Sequence, residues 1–506
     1  MLATVRSAVL HGVEGRPVTV EVHVSNGLPS FTVVGLPDAS CREARDRVRA
    51  AVLSSELQWP NQRITVNLAP SGFRKVGAGF DLAIALGVLV ADEQLDPAAL
   101  QDSAFLAELG LDGSLRHVPG VLALAGCVDS ATVVVPPSAV AEASLVEGRQ
   151  VRSARTLAEC VTALAGRGPW PEPDPPDHPL PEVDPADLAD VRGQPLARRA
   201  VEVAAAGGHH LLFSGPPGSG KTMLARRLVG LLPDLHWRDA LRVTTIHSAA
   251  GLRLPPDGLV RRPPMRSPHH SASLVSLAGG GTARLRPGEI SCAHAGVLFL
   301  DELGEFSPAT LDALRQPLEE GLVRVARAHG AATFPARFQL VAAMNPCPCG
   351  YAGDPRRCTC SEAVQARYLR RVSGPLLDRF DVRVVVNRPP VEALLSDEPA
   401  ESTAQVASRV HAAREVAAAR GVRTNAELGA SSLDSVAPLT AGARDVLHEA
   451  LRAQRLTARG LARVRRVART IADLAGAQVL DEGHVSEALW LRVDPFAHGR
   501  FADVAG

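Results

Sequence analysis

The residues best placed by type and spacing to do chemistry lie at 211–222, Leu-Leu-Phe-Ser-Gly-Pro-Pro-Gly-Ser-Gly-Lys-Thr. A short apolar run ends at Ser214, and Thr222 opens a helical pattern through Met223, Leu224, Leu228 and Leu231. Gly215, Pro216, Pro217, Gly218, Ser219, Gly220, Lys221 and Thr222 thus form a loop between strand and helix with P-loop spacing, G-x-x-x-x-G-K-T. Such a loop can turn backbone N–H groups inward around phosphate oxygens, and the helix N-terminus adds a favourable dipole. Lys221 can reach the β- and γ-phosphates, and the Thr222 hydroxyl can ligate Mg²⁺. A second stretch, Gly296-Val-Leu-Phe-Leu-Asp-Glu302, carries four apolar residues into two carboxylates. Downstream of a P-loop this is a Walker B pattern. Asp301 at a buried strand end can hold the Mg²⁺ shell, and Glu302 can polarise an attacking water. The expected ligands are ATP and Mg²⁺.

Two further clusters could bind ions. Cys347, Cys349, Cys358 and Cys360 are two C-x-C pairs separated by eight residues. Two close thiolate pairs on one loop could wrap a tetrahedral Zn²⁺, although the gap within each pair is tighter than the usual two residues. Free thiols or a labile redox site are the alternatives. His269-His270 has no spaced ligands, and adjacent histidines are expected to point in different directions, which argues against a metal there. Their segment, 264–291, is punctuated by glycine and proline and carries Arg266, Arg284 and Arg286. It reads as an inserted loop pair that offers these arginines to DNA phosphates in a central pore.

The chain has 506 residues, enough for about three domains. Formal net charge is zero, so no global basic field announces nucleic acid, though a local basic surface stays open. Hydrophobic content of 46% and charged content of 21% are those of a soluble globular protein. No apolar stretch is long enough to span a bilayer, and the N-terminus has no signal-peptide pattern. A cytoplasmic location without membrane association is expected. There, clustered cysteines suggest metal or redox chemistry more than disulfides.

The elements that must position these residues fall into an α/β series. Residues 1–165 read as one α/β domain, with strands at 18–24, 30–34, 63–68 and 131–135 and helices at 40–53 and 80–89. A proline-rich linker, 166–186, should be extended and semi-rigid. Residues 187–390 form the nucleotide-binding domain. A helix at 195–206 precedes the P-loop. Ser307 caps a helix that runs to Gly321 with Pro308 at its first position. A hairpin follows, with strands at 322–328 and 332–336, a turn at 329–330, and Arg324, Arg327 and Arg337 upon it. A buried strand, 338–344, ends in Asn345. Residues 391–506 read as helical, with helices at 405–419, 441–453, 457–475 and 481–491.

Lys75-Val-Gly-Ala-Gly-Phe-Asp-Leu-Ala resembles the region around the serine–lysine dyad of the Lon protease domain. That fold also occurs, without proteolysis, in RadA-type recombination proteins. Gly79 stands where Lon places its serine, and Ser71 precedes the lysine in the wrong register. Covalent catalysis needs a nucleophile, so residues 1–165 are read as a Lon-like, non-proteolytic domain. Across nearly its whole length the chain resembles the YifB/ComM family of magnesium-chelatase-like AAA+ ATPases. The resemblance rests on Gly215–Thr222, Ser267-Pro-His-His, Arg286-Pro-Gly-Glu-Ile-Ser, Gly296–Glu302, Leu314-Arg-Gln-Pro-Leu-Glu, Asn345-Pro-Cys-Pro-Cys-Gly, Ser373–Asp381 and Val467-Ala-Arg-Thr-Ile-Ala-Asp-Leu. It implies an AAA+ P-loop core with a C-terminal helical lid. It further implies that Asn345 helps orient the water as sensor 1, and that Arg379 is an arginine finger facing the next subunit's nucleotide. Arg459 resembles sensor 2, reaching the γ-phosphate from the lid, with Arg463 as the fallback. A homo-hexameric ATP-driven motor on DNA, promoting branch migration, is the implied activity. The alternative is a chelatase-like ATPase that drives metal insertion or remodels a protein. The magnesium-chelatase subunit is taken to lack the Lon-like domain and the four-cysteine loop, which favours the DNA motor.

Overall fold

The computed structural model describes residues 1–172, 186–281, 284–327, 330–395 and 400–492. Most of the proline-rich linker, and the hairpin turn at His329, lie outside these residues. The N-terminal part is built on a seven-stranded sheet. Its strands, in spatial order, are Ser30–Val34, Arg63–Ala69, Glu14–Ser25, Leu2–His11, Ser103–Phe105, Thr132–Val135 and Gln150–Ser153. Leu2–His11 pairs antiparallel with Glu14–Ser25 and parallel with Ser103–Phe105. The sequence reading did not assign Leu2–His11. Its buried positions are Ala3, Val5, Ser7, Ala8, Val9 and Leu10, and the continuous buried run over 7–10 interrupts the hydrophobic alternation of a strand. Against the sheet lies the helix Asp81–Ala91, all eleven of whose residues are buried. Arg47, on the helix Ala39–Ser54, grips Asp81 through two hydrogen bonds of 2.7 and 3.0 Å. Burial raises the Asp81 carboxyl to about 6 against the opposing pull of Arg47.

A second, five-stranded sheet is wholly parallel among the described residues. Its order is Met265–Arg266, Val297–Leu300, Gln339–Met344, Leu211–Ser214 and Val382–Val385. The strand carrying Asn345 at its end therefore lies between the P-loop strand and the Asp301 strand. All four residues of Leu211–Ser214 and of Val297–Leu300 are buried, as expected of parallel strands covered on both faces. Crossovers in parallel sheets leave ligands beyond the carboxyl ends of the strands. Here those ends are Ser214, Leu300 and Met344.

The helix expected over 307–321 is broken. Ser307 does cap Pro308–Asp312, its hydroxyl accepting from the Thr310 N–H at 3.1 Å. A second helix, Arg315–Glu320, then starts afresh. Pro317 explains the break: it has no N–H, and its ring would clash with the Ala313 carbonyl of a continuous helix. Gly321 ends the second helix at φ +67°, a left-handed cap.

The C-terminal helices share one apolar core with the helices of the five-stranded sheet. Val201, Leu224 and Leu228 belong to the same buried cluster as Val410, Val464, Val467 and Ile471. Thr403–Ala419 and Ala458–Leu474 both pack on Pro195–Gly207. The two α/β parts also touch. Ala249, on the helix Trp237–Ala250, is buried among Leu106, Val121, Leu124 and Val133 of the N-terminal part. Beside it, the Ser248 hydroxyl donates to Glu142 at 2.5 Å and accepts from the Gly120 N–H at 2.9 Å.

Candidate active site

The P-loop lies at the carboxyl end of Leu211–Ser214, and the helix Lys221–Leu228 follows directly. Gly218 and Gly220 take φ of +74° and +91°, which L side chains rarely adopt. Gly215 packs so closely on the Val386 carbonyl that a Cβ would come within 2.1 Å of its oxygen. The ammonium of Lys221 donates to the Gly215 and Pro216 carbonyls, each at 2.8 Å, and to Asn345 Oδ1 at 3.2 Å. Burial pushes Lys221 down to about 8, against the raising effect of Asp301. The Thr222 hydroxyl donates to Asp301 Oδ2 at 2.8 Å. One hydroxyl and one carboxylate held together are the hard oxygen donors that Mg²⁺ takes, so this pair fits that ion. Four sequence-expected residues, from three neighbouring strand ends, thus meet in two adjoining contacts.

Glu302 adopts φ +53°, a left-handed backbone that costs a non-glycine residue about 1–3 kcal/mol. Its N–H donates to Asp301 Oδ1 at 3.0 Å. Its own carboxylate meets His270 Nδ1 at 3.1 Å. His270 was not expected at the site. The two adjacent rings do not diverge, as the sequence reading assumed: they overlap, with centroids 4.0 Å apart. His270 also meets Phe306 edge-on. The signal that could have found it is position, because His270 follows Met265–Arg266, the strand paired with the Walker B strand. A cleft of about 730 Å³ lies on the other side of His270, bounded by Ser273, Phe306 and Arg371 and by none of the P-loop residues.

The arginines divide into bonded and exposed groups. Arg379 pairs with Glu319, and with neither neighbouring aspartate. Burial lowers its pKa first, and the charges of Arg463 and Arg459 lower it further. Arg463 is bonded to Asp381 at 2.7 Å and to the Arg379 carbonyl at 3.1 Å. Burial alone would raise the Asp381 carboxyl, but His209 and Arg463 hold it far below the ordinary range. In this structure Arg463 is thus engaged with Asp381. Arg459 is exposed on the first turn of Ala458–Leu474 and sits within electrostatic reach of Arg379. In the insertion, Arg266 does not offer its charge outward: it forms a two-pronged bond to Glu289, at 2.6 and 2.8 Å. Arg284 is mostly buried and lowered to about 10 by that burial, with one bond to the Ala249 carbonyl. Arg286 alone of the three is exposed. On the hairpin, Arg324 and Arg327 are exposed; Arg324 pairs with Glu320 at 2.8 Å, and Arg327 reaches over Gly280, the strand partner of Arg286.

Cys347, Cys349, Cys358 and Cys360 converge, their Sγ atoms all within 4.8 Å of one another. In the N-terminal part, Lys75 is buried. Its ammonium donates to the Pro70 and Phe73 carbonyls and lies 4.4 Å from the Phe73 ring centre. Those bonds are to backbone oxygens, and Gly79 has no hydroxyl to offer, so the arrangement is not that of a serine–lysine dyad.

Three family models match the chain: "Magnesium chelatase, subunit ChlI" over residues 187–394, "Subunit ChlI of Mg-chelatase" over 20–138, and "Magnesium chelatase, subunit ChlI C-terminal" over 400–492. Competence protein ComM of Haemophilus influenzae is 44% identical over 506 residues, covering 97% of each chain. YifB of Escherichia coli is 43% identical over 495 residues, again covering 97% of each. A shorter stretch of 146 residues is 31% identical to Lon protease 2 of Bacillus subtilis, 28% of this chain and 26% of that one. The chain belongs to the magnesium-chelatase-like family of YifB and ComM. Membership suggests an ATPase using ATP and Mg²⁺, in agreement with the donors at 215–222 and 301. Because a chelatase-subunit model also matches residues 20–138, the N-terminal part does not by itself separate this chain from a metal-insertion subunit. Among the described residues, no helix is long and apolar enough to cross a membrane.

Proposed function

We propose that the protein is an ATP-hydrolysing AAA+ motor acting on DNA. The observation that carries the ATPase reading is the meeting of Lys221 with Asn345 and of Thr222 with Asp301 at adjacent strand ends. In this reading Lys221 exchanges its backbone carbonyls for phosphate oxygens. Thr222 and Asp301 would hold Mg²⁺, which supplies charge neutralisation on the phosphates. Glu302 leaves His270 and accepts a proton from the attacking water, which Asn345 orients. Arg379 leaves Glu319 and addresses the nucleotide of a neighbouring subunit, stabilising charge on the departing phosphoryl group. Arg459 is read as reaching the γ-phosphate from the lid, and an arginine that serves a neighbouring subunit's nucleotide calls for a ring, read here as a homo-hexamer. Residues 1–165 are read as a Lon-like domain without proteolytic chemistry, and the protein as cytoplasmic.

The DNA half of the proposal rests on Arg286 and Arg327, two exposed cations brought together by adjoining hairpins, and on the competence name of ComM. Branch migration in recombination or transformation is the finer reading. The test is ATPase rate with and without single-stranded, duplex and four-way-junction DNA over a salt series. Stimulation that fades with salt supports phosphate contacts. No stimulation by any DNA transfers the reading to the chelatase-like alternative, a metal-insertion or protein-remodelling ATPase.

A further inference from the structure

The four-cysteine loop is built into the nucleotide site. It leaves the strand Gln339–Met344 at Asn345, whose side chain bonds Lys221, and two residues later it reaches buried Cys347. At Gly350, φ +84°, its backbone lies flat on the P-loop: a Cβ there would sit 2.5 Å from Pro217 Cδ. Tyr351 lies between Arg357 and Arg388, and Arg388 donates to the Pro217 carbonyl at 3.3 Å. On its far side, Gln365 of the helix Glu362–Leu369 donates to Cys358 Sγ at 3.6 Å and to the Cys360 carbonyl at 3.0 Å.

The spacing of the thiols identifies what they fit. A tetrahedral Zn²⁺ with Zn–S bonds of about 2.3 Å sets its sulfurs ~3.8 Å apart. The separations here are 3.3 Å for Cys347–Cys349, 3.9 Å for Cys347–Cys358 and 3.7 Å for Cys349–Cys358. A disulfide would need about 2.05 Å. A cluster of two or more irons would need room between its thiolates that a 4.8 Å limit does not give. Soft thiolates in a closed S₄ set favour Zn²⁺ among single ions.

We propose that these four cysteines hold one structural Zn²⁺, and that the metal fixes the loop which presses Gly350 onto Pro217 and holds Asn345 beside Lys221. Zinc occupancy then governs nucleotide affinity at a distance, without the ion touching phosphate. This coupling rests on reading 215–222 as the nucleotide loop. With the metal absent, residues 346–360 lose their internal support, and the Pro217 face of the P-loop loses its backing.

The test uses the full chain, with elemental analysis and the binding of a fluorescent ATP analogue measured without DNA. One zinc per chain is expected. Cys358→Ser should remove it and weaken nucleotide binding about tenfold or more. Stripping wild-type protein with a chelator should do the same, and added Zn²⁺ should restore affinity. Gly350→Ala keeps all four thiols, so it should retain zinc yet weaken nucleotide binding by displacing Pro217. These two routes avoid reliance on a cysteine variant that fails to fold. Iron in place of zinc, no zinc uptake on titration, or unchanged nucleotide affinity in stripped protein would each overturn the proposal. If zinc-loaded wild type binds no nucleotide, the P-loop reading fails on its own, while the metal count still reports on the cysteines.

Discussion

Glu302 is held at three points: a left-handed backbone, an N–H bonded to Asp301, and a carboxylate on His270. Replacing it by glutamine removes the proton acceptor but keeps the shape. Glu302→Gln should bind ATP and fail to turn it over, as a filter-binding and phosphate-release pair would show. His270 restrains that carboxylate with a bond worth about 1 kcal/mol, so His270→Ala should raise DNA-free turnover up to about fivefold. Unchanged basal turnover would make the contact incidental. Lys221 carries a pH signature. Its pKa in the free loop is lowered to about 8, so it is a cation below that pH and neutral above it. Nucleotide affinity should therefore be flat below pH 8 and fall as pH rises through it. A profile that stays flat to pH 9.5 would place the ammonium elsewhere. At this scale the sequence was informative where spacing alone defines the chemistry. Asn345 was reached through the family resemblance, whereas Gly215–Thr222, Asp301 and Glu302 follow from strand, loop and helix order. His270, the pairing of Arg266 with Glu289 and the partnership of Arg463 with Asp381 did not, because each joins residues whose closeness only tertiary packing creates.

Among the elements, the helix Ala458–Leu474 has two tasks. Its Val464, Val467 and Ile471 enter the core shared with Pro195–Gly207, while Arg463 neutralises buried Asp381. Arg463→Ala would remove the arginine bonded directly to that buried carboxylate and should lower stability by about 3 kcal/mol, measured by denaturant unfolding. Arg459→Ala should leave stability unchanged. If Arg459 and Arg379 serve one phosphate, the double variant should lose no more turnover than Arg379→Ala. Additive losses would separate the two arginines into different sites. Helix and strand bounds were largely readable here: the sequence predicts a helix at 195–206 and the structure has Pro195–Gly207, and Ser307 caps where expected. The break before Pro317 was missed, although a proline inside a helical pattern is a stop signal. Met265–Arg266 was not, because a two-residue strand carries no periodicity.

For the whole molecule, zero net charge means that any DNA affinity must be local. Arg286→Ala and Arg327→Ala should each weaken DNA binding and reduce the slope of log affinity against log salt by about 1. Equal affinity with an unchanged slope would move the contact off these hairpins. The junction between the two sheets has a separate consequence. Ala249 fills an apolar hollow of the N-terminal part, and Ser248 satisfies both Glu142 and the Gly120 N–H. Cutting the chain at the proline-rich linker would bare the hollow and leave the Gly120 N–H without its partner on the N-terminal part, and would expose Ala249 on the P-loop part. The smallest portable unit of this ATPase is therefore not its P-loop domain, and a shortened version should be sticky and poorly expressed unless residues 1–165 are supplied with it.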